Sequence, residues 1–342
     1  IKKMHLEAEK NAAEAWQYES GLAANLVCLQ QLVGISELEC RLLVFLTLMH
    51  TEHTLSTVCS NWLDDLSLQA AYATLAVLLD TDKQEIAQAF SCRGKLVRCG
   101  LVSLEQGSCH SLYRRFELLS GSFADRLLGG SATAEDFLLG MVKISKPPTL
   151  VAADYRHIQR QYDVLAQYLQ SVLSEKKPGV NVLIYGEPGT GKSELVRLLS
   201  QQLDAGLLEV ASEDEQGESF VGKTRLRAFK AAQQFFASRR TLILFDEIQD
   251  VFDDGGMFAR STAQVRKAEI NTLLEENPLP TFWLSNDVRS MDNAFIRRFD
   301  IVLELDVPPL SRRREILRNA MADLPVEPAV LKRFAKHEHL SP

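Results

Sequence analysis

The chain has 342 residues, 46% of them hydrophobic and 24% charged, with a formal net charge of −7. That length suits two or three domains, and the composition is ordinary for a soluble globular protein. The acidic balance argues against a broad nucleic-acid surface, although a local basic stripe can sit within it.

The most apolar stretch, LLVFLTLM at 42–49, falls far short of the roughly 20 residues a membrane-spanning helix needs. No secretory signal is evident. The chain begins at Ile1 rather than Met, so it reads as a fragment of a longer protein, and a leader can have been lost.

Residues 1–145 are helical in rhythm and form the expected N-terminal domain. All six cysteines lie between Cys28 and Cys109. None forms a C-x-x-C pair, and Cys92, Cys99, Cys109 and His110 fit no zinc spacing. A reduced, cytoplasmic setting is the simplest reading. LQAAYATLAVLLD (68–80) predicts a helix, and DKQEIAQAFSCRGKLVRCG (82–100) predicts another with Ile86, Phe90 and Leu96 on its apolar side. LVSLEQGSCHSLYRRFELL (101–119) then predicts a short hairpin around Gly107.

Helix, helix, hairpin is an order that resembles winged-helix modules. On that resemblance Lys83, Gln84, Arg93, Lys95 and Arg98 would meet DNA phosphates and bases. The other reading is a helical domain that docks partners or is purely structural. Residues 1–150 hold 13 Lys+Arg against 17 Asp+Glu, with acids mixed through the helix, which favours the second.

The Pro-Pro break in KISKPPTL (143–150) opens a region of different character. Beyond it, apolar strand-like runs alternate with helical stretches, the pattern of βαβ units on a parallel sheet. ADYRHIQRQYDVLAQYLQSVL (153–173) reads as a long amphipathic helix, and VNVLIY (180–185) as a buried central strand. SELVRLLSQQL (193–203) follows, with one apolar helical stripe.

Between that strand and that helix lie Gly186, Glu187, Pro188, Gly189, Thr190, Gly191, Lys192 and Ser193. This G-x-x-x-x-G-K-[ST] pattern in a strand–loop–helix context is a phosphate-binding loop. Its glycines let backbone N–H groups turn inward as an anion nest, and the helix N-terminus adds positive potential. Lys192 suits the β- and γ-phosphates of ATP, and the Ser193 hydroxyl suits Mg²⁺.

A second apolar strand, in TLILFDEIQDVF (241–252), ends in Asp246 and Glu247. Acids at the carboxyl edge of a parallel sheet stand where its ligands bind. Asp246 would hold Mg²⁺ through its water shell, and Glu247 would polarise the attacking water.

These motifs, in this order, resemble the AAA branch of the AAA+ ATPases over roughly residues 151–342. The resemblance implies an α/β P-loop NTPase fold: a large domain at 151–309, then the start of a truncated helical lid at 310–342. TFWLSND (281–287) resembles the strand carrying sensor 1, here Asn286, which in the family aligns water. MDNAFIRRFDIVLELDVPP (291–309) resembles the second region of homology, so Arg297 and Arg298 look like arginine fingers acting on a neighbouring subunit. A salt bridge to Asp300 or Glu304 is the alternative.

Phe220-Val221-Gly222 matches the aromatic–hydrophobic–glycine pattern of a substrate-gripping pore loop, with local packing of Phe220 as the other reading. DDGGMFAR (253–260) occupies the place of a second pore loop. The segment entering the 153–173 helix contacts adenine in relatives, which makes Tyr155 and Ile158 candidates beside a plain packing role. Departures are Glu187, where many relatives carry Pro, and Gln249 in DEIQ, where the family often has Asp. The resemblance implies a ring, expected to be a hexamer, that remodels or unfolds a protein substrate recruited through the N-terminal domain. The alternative is a DNA-associated regulatory ATPase, and a third reading is a nucleotide switch that barely turns over.

Overall fold

The computed structural model describes residues 20–61, 67–105, 111–130, 132–213, 219–220, 222–252, 267–289, 291–321, 330 and 333–335. They divide into two compact units between Leu139 and Gly140. Val221, Gly107, Cys109, His110, the 253–260 segment and most of the expected lid beyond 321 lie outside the described residues.

The first unit is mainly helical, with helices at Ser20–Val33, Glu37–Thr51, His53–Asn61, Leu68–Leu78, Lys83–Ala89 and Gly121–Leu128, and shorter turns between. Its only described strands, β1 (Val102–Leu104) and β2 (Phe116–Leu118), pair antiparallel. Three side chains explain much of its order. Ser36 and Glu39 form a reciprocal capping box at the start of Glu37–Thr51. The second Glu39 oxygen accepts the Lys95 N–H at 2.7 Å. Asn25, fully buried, donates to the Arg126, Leu127 and Gly130 carbonyls and accepts from the Ala132 N–H. It thereby satisfies the end of Gly121–Leu128.

The single helix expected over 82–100 is two, Lys83–Ala89 and Lys95–Arg98. The Ser91 hydroxyl accepts the N–H groups of Arg93 and Gly94 and turns the chain between them. Only glycine fits at 94, because a Cβ there would meet the Ala89 carbonyl oxygen at 1.9 Å.

The second unit is built on a six-stranded sheet of order β3-β5-β6-β7-β4-β8. The strands are β3 (Val142–Ile144), β4 (Asn181–Tyr185), β5 (Gly206–Val210), β6 (Thr241–Phe245), β7 (Thr281–Ser285) and β8 (Ile301–Glu304). All neighbours run parallel except β3, which pairs antiparallel with β5. This is an α/β P-loop fold with the loop strand β4 flanked on both sides. β3 comes from the stretch just before the Pro-Pro break and extends the sheet by one edge strand.

Residues alternate between the two faces of the sheet. On one face Val182, Ile184, Leu242, Leu244, Phe282 and Leu284 pack against Tyr162, Leu165 and Leu169 of the helix Gln159–Glu175. They also meet Leu195 and Leu199 of the helix Lys192–Gln202. On the other face Phe245 and Trp283 stack 5.0 Å apart, with Phe229, Phe252 and Phe299 around the indole.

A buried polar cluster closes the amino ends of these strands. Asn181 accepts the Trp283 indole N–H at 3.0 Å and donates to the Leu274 carbonyl at 2.6 Å. Replacing Asn181 by Leu strands both groups without water. We expect a loss of about 2–4 kcal/mol, read as a lower urea midpoint at unchanged slope.

Candidate nucleotide site

The loop between β4 and the helix Lys192–Gln202 owes its path to its glycines. Gly186 has φ +152 and a Cβ there would meet the Leu305 carbonyl oxygen at 2.2 Å. Gly191 has φ +93 and lies under the Tyr155 hydroxyl, which donates to its carbonyl at 2.8 Å. Glu187, Pro188 and Gly189 form the exposed crest. Thr190 is buried, its hydroxyl donating to the Glu187 carbonyl at 3.0 Å.

Lys192 is 7% exposed. Its ammonium donates to the Gly186 carbonyl at 2.7 Å, the Glu187 carbonyl at 3.0 Å and Asn286 Oδ1 at 3.1 Å. Burial pulls its pKa below that of an ordinary lysine, with the Asp246 carboxylate pulling the other way. Ser193 donates to Asp246 at 2.9 Å. The ends of β4, β6 and β7 thus converge through two side-chain pairs, because parallel strands present their carboxyl ends on one edge. A hydroxyl beside a carboxylate is an all-oxygen donor set that fits a hard divalent cation.

Glu247 is exposed and its backbone is left-handed, φ +52, a conformation that costs a non-glycine residue about 1–3 kcal/mol. The surroundings hold it there. The Glu247 N–H donates to Asp246 Oδ1 at 2.8 Å, and the Ile248 N–H to the Leu284 carbonyl at 3.1 Å. Arg225, on the helix Gly222–Phe235, donates to the Glu247 carbonyl at 2.9 Å and also to the Asp246 carbonyl.

Arg297 is exposed, and Arg298 pairs with Glu275 rather than with Asp300 or Glu304. Among the described residues neither arginine is bonded to the loop. Glu275 lies beneath Gly179, just before β4, and Asp300 accepts the Asn181 N–H at 2.8 Å. Arg298 therefore sits at the amino ends of the strands, while the loop sits at their carboxyl ends. Five residues of extended β4 separate the two ends by about 16 Å.

Tyr155 and Ile158 are buried in the apolar core against the loop helix. Burial, followed by the nearby Glu194 and Asp154 charges, pushes the Tyr155 hydroxyl far above its usual pKa. Phe220 is partly exposed, its N–H donating to the Ser212 carbonyl at 2.8 Å, and Gly222 starts the following helix.

Sequence reasoning did not single out Arg225, nor Glu194. The Glu194 carboxylate accepts the Thr149 N–H at 2.6 Å and the Leu150 N–H at 3.2 Å, and pairs with Arg197. This fastens the chain entering the domain onto the first turn of the loop helix. The only available signal was basic and acidic residues on amphipathic helices, which solvent-facing charges produce equally.

Residues 182–307 match the family model described as "ATPase family associated with various cellular activities (AAA)". The 26S proteasome regulatory subunit 7 of Caenorhabditis elegans is 26% identical over 204 residues, 55% of this chain and 47% of its own. ATPase family gene 2 protein homolog B of Homo sapiens is 30% identical over 154 residues, 42% of this chain and 20% of its own. A chain of the solved E. coli MS115-1 HORMA:CdnC:Trip13 complex aligns over 55% of this chain and 74% of that chain, at 17% identity and a TM-score of 0.38. The chain spans about half the length, or less, of these curated relatives.

Substituting Gly186 by Ala drives a methyl into the Leu305 backbone at a φ that L-residues rarely adopt. The expected loss is about 1–3 kcal/mol, measured by denaturant unfolding, together with loss of binding to a fluorescent ATP analogue.

Proposed function

This chain belongs, through residues 182–307, to the AAA family of ATPases, and on that premise we propose that it couples Mg²⁺-ATP hydrolysis to remodelling of a protein substrate. The convergence of Lys192 and Ser193 with Asn286 and Asp246 carries this reading. Lys192 exchanges its loop carbonyls for β- and γ-phosphate oxygens, and backbone N–H groups of the glycine loop and of the first turn of Lys192–Gln202 would complete the cradle. Ser193 and Asp246 would hold Mg²⁺, which when bound would offset phosphate charge. Glu247 takes up the proton of the attacking water, and Asn286 orients that water.

Arg297 and Arg298 complete the site of a neighbouring copy, where a guanidinium stabilises charge on the transferring phosphoryl group. Their place at the amino ends of the strands supports action in trans, since they stand a strand's length from their own loop. The exposed pairing of Arg298 with Glu275 is worth only about 0–1 kcal/mol and is readily exchanged. A ring, with six members as the expected number, follows from such shared sites.

Phe220, with Val221 and Gly222, would grip the substrate, and the N-terminal unit would recruit it or an adaptor. No helix among the described residues is long and apolar enough to cross a membrane. The DNA-associated alternative gains nothing here: the Lys95 ammonium is already bonded to the Gly34 carbonyl at 2.6 Å.

Two complementary losses test the shared site. Arg297→Ala and Glu247→Gln should each lower turnover by about 10³-fold, with ATP binding retained. Mixing the two variants should restore a measurable fraction, because some interfaces then join an intact Glu247 to an intact Arg297. Specific activity of the wild type should also rise with protein concentration. Activity per chain that is constant with concentration, and no recovery on mixing, would remove the trans-acting arginines.

A further inference from the structure

We infer that Arg225 is a positioning residue for hydrolysis, holding the turn that presents Glu247; this rests on the reading of Glu247 as the general base. Three observations support it. Arg225 is 2% exposed, so its guanidinium is fixed rather than solvated. Its guanidinium lies over the Phe245 ring, with Cζ 4.4 Å from the centroid, and this cation–π contact orients the head. From there it donates to the two successive carbonyls of Asp246 and Glu247.

That pair of bonds clamps the two peptide units that flank the left-handed Glu247. An arginine can do this because its planar fork carries donors at fixed spacing, whereas a lysine presents one ammonium point. The Asp246 side chain adds support by accepting the Glu247 N–H, as does the Leu284 carbonyl by accepting the Ile248 N–H. Arg225 belongs to the first turn of Gly222–Phe235, the helix that starts two residues after Phe220. Four residues later on that helix, Phe229 packs against Phe245 and Trp283 and fixes it on the sheet. The catalytic turn is therefore bonded to the same helix that leads from the proposed substrate loop.

The experiment measures steady-state ATP turnover, ATP affinity and melting temperature for wild type, Arg225→Lys, Arg225→Gln, Glu247→Gln and the Arg225→Lys/Glu247→Gln double variant. Expected is a fall in kcat of about 10–100-fold for the Arg225 variants, with ATP affinity within about threefold. The double variant should be no slower than Glu247→Gln alone, since both changes remove the same function. Unchanged kcat in a folded Arg225 variant, or an additive loss in the double variant, overturns the proposal.

Hydrogen exchange on the wild type gives a test that needs no variant. The Glu247 and Ile248 amides should exchange as slowly as those of β6, and fast exchange there shows that the turn is not held. Wild-type turnover equal to that of Glu247→Gln would instead sink the hydrolytic reading itself, and the role of Arg225 with it.

Discussion

A lysine ammonium taken out of water is the constraint around which this site is arranged. Lys192 is nearly buried, and a charge in that position must be met by oriented oxygens. Two come from the loop it belongs to and one from Asn286 at the end of β7. The arrangement requires β4 and β7 to end level. They do, because they pair in parallel with Tyr185 opposite Ser285. The glycine at 186 then lets the chain pass the Leu305 backbone where no side chain fits. Sheet register, loop path and lysine position are thus one condition stated three ways.

The second constraint is local strain. The turn after β6 keeps a glutamate in left-handed backbone, and the hydrogen bonds around it come from three different elements. Strain of this kind persists only where the neighbourhood overdetermines it. The aromatic packing of Phe229, Phe245 and Trp283 is what gives that neighbourhood its rigidity. The far face of the sheet, remote in sequence from the glycine loop, therefore bears on the geometry of the carboxylate.

Much of this was legible in the sequence, for physical reasons. A β-branched run, a glycine-rich loop and an amphipathic helix encode strand, nest and dipole locally, and the acids and Asn286 close two further strands of the same edge. The AAA resemblance supplied their order. What escaped depends on contacts between distant residues. Three residues of β3 carry no periodicity, so only their pairing with β5 shows them to be a strand. The break at 90–94 lay hidden inside a helical apolar pattern, betrayed only by Ser91 and Gly94. Arg225 differs in no local respect from Arg227, two positions on along the same helix. Its role comes from Phe245 and the turn beyond it.

The most direct test of the central claim is equilibrium binding of ATP to the wild type and to Lys192→Ala, by titration calorimetry with and without Mg²⁺. Expected is binding that tightens with Mg²⁺ and weakens by about 100-fold, or roughly 2.7 kcal/mol, when the ammonium is removed. Equal binding by the two proteins, or none by the wild type, would contradict the assignment of this edge of the sheet as the nucleotide site.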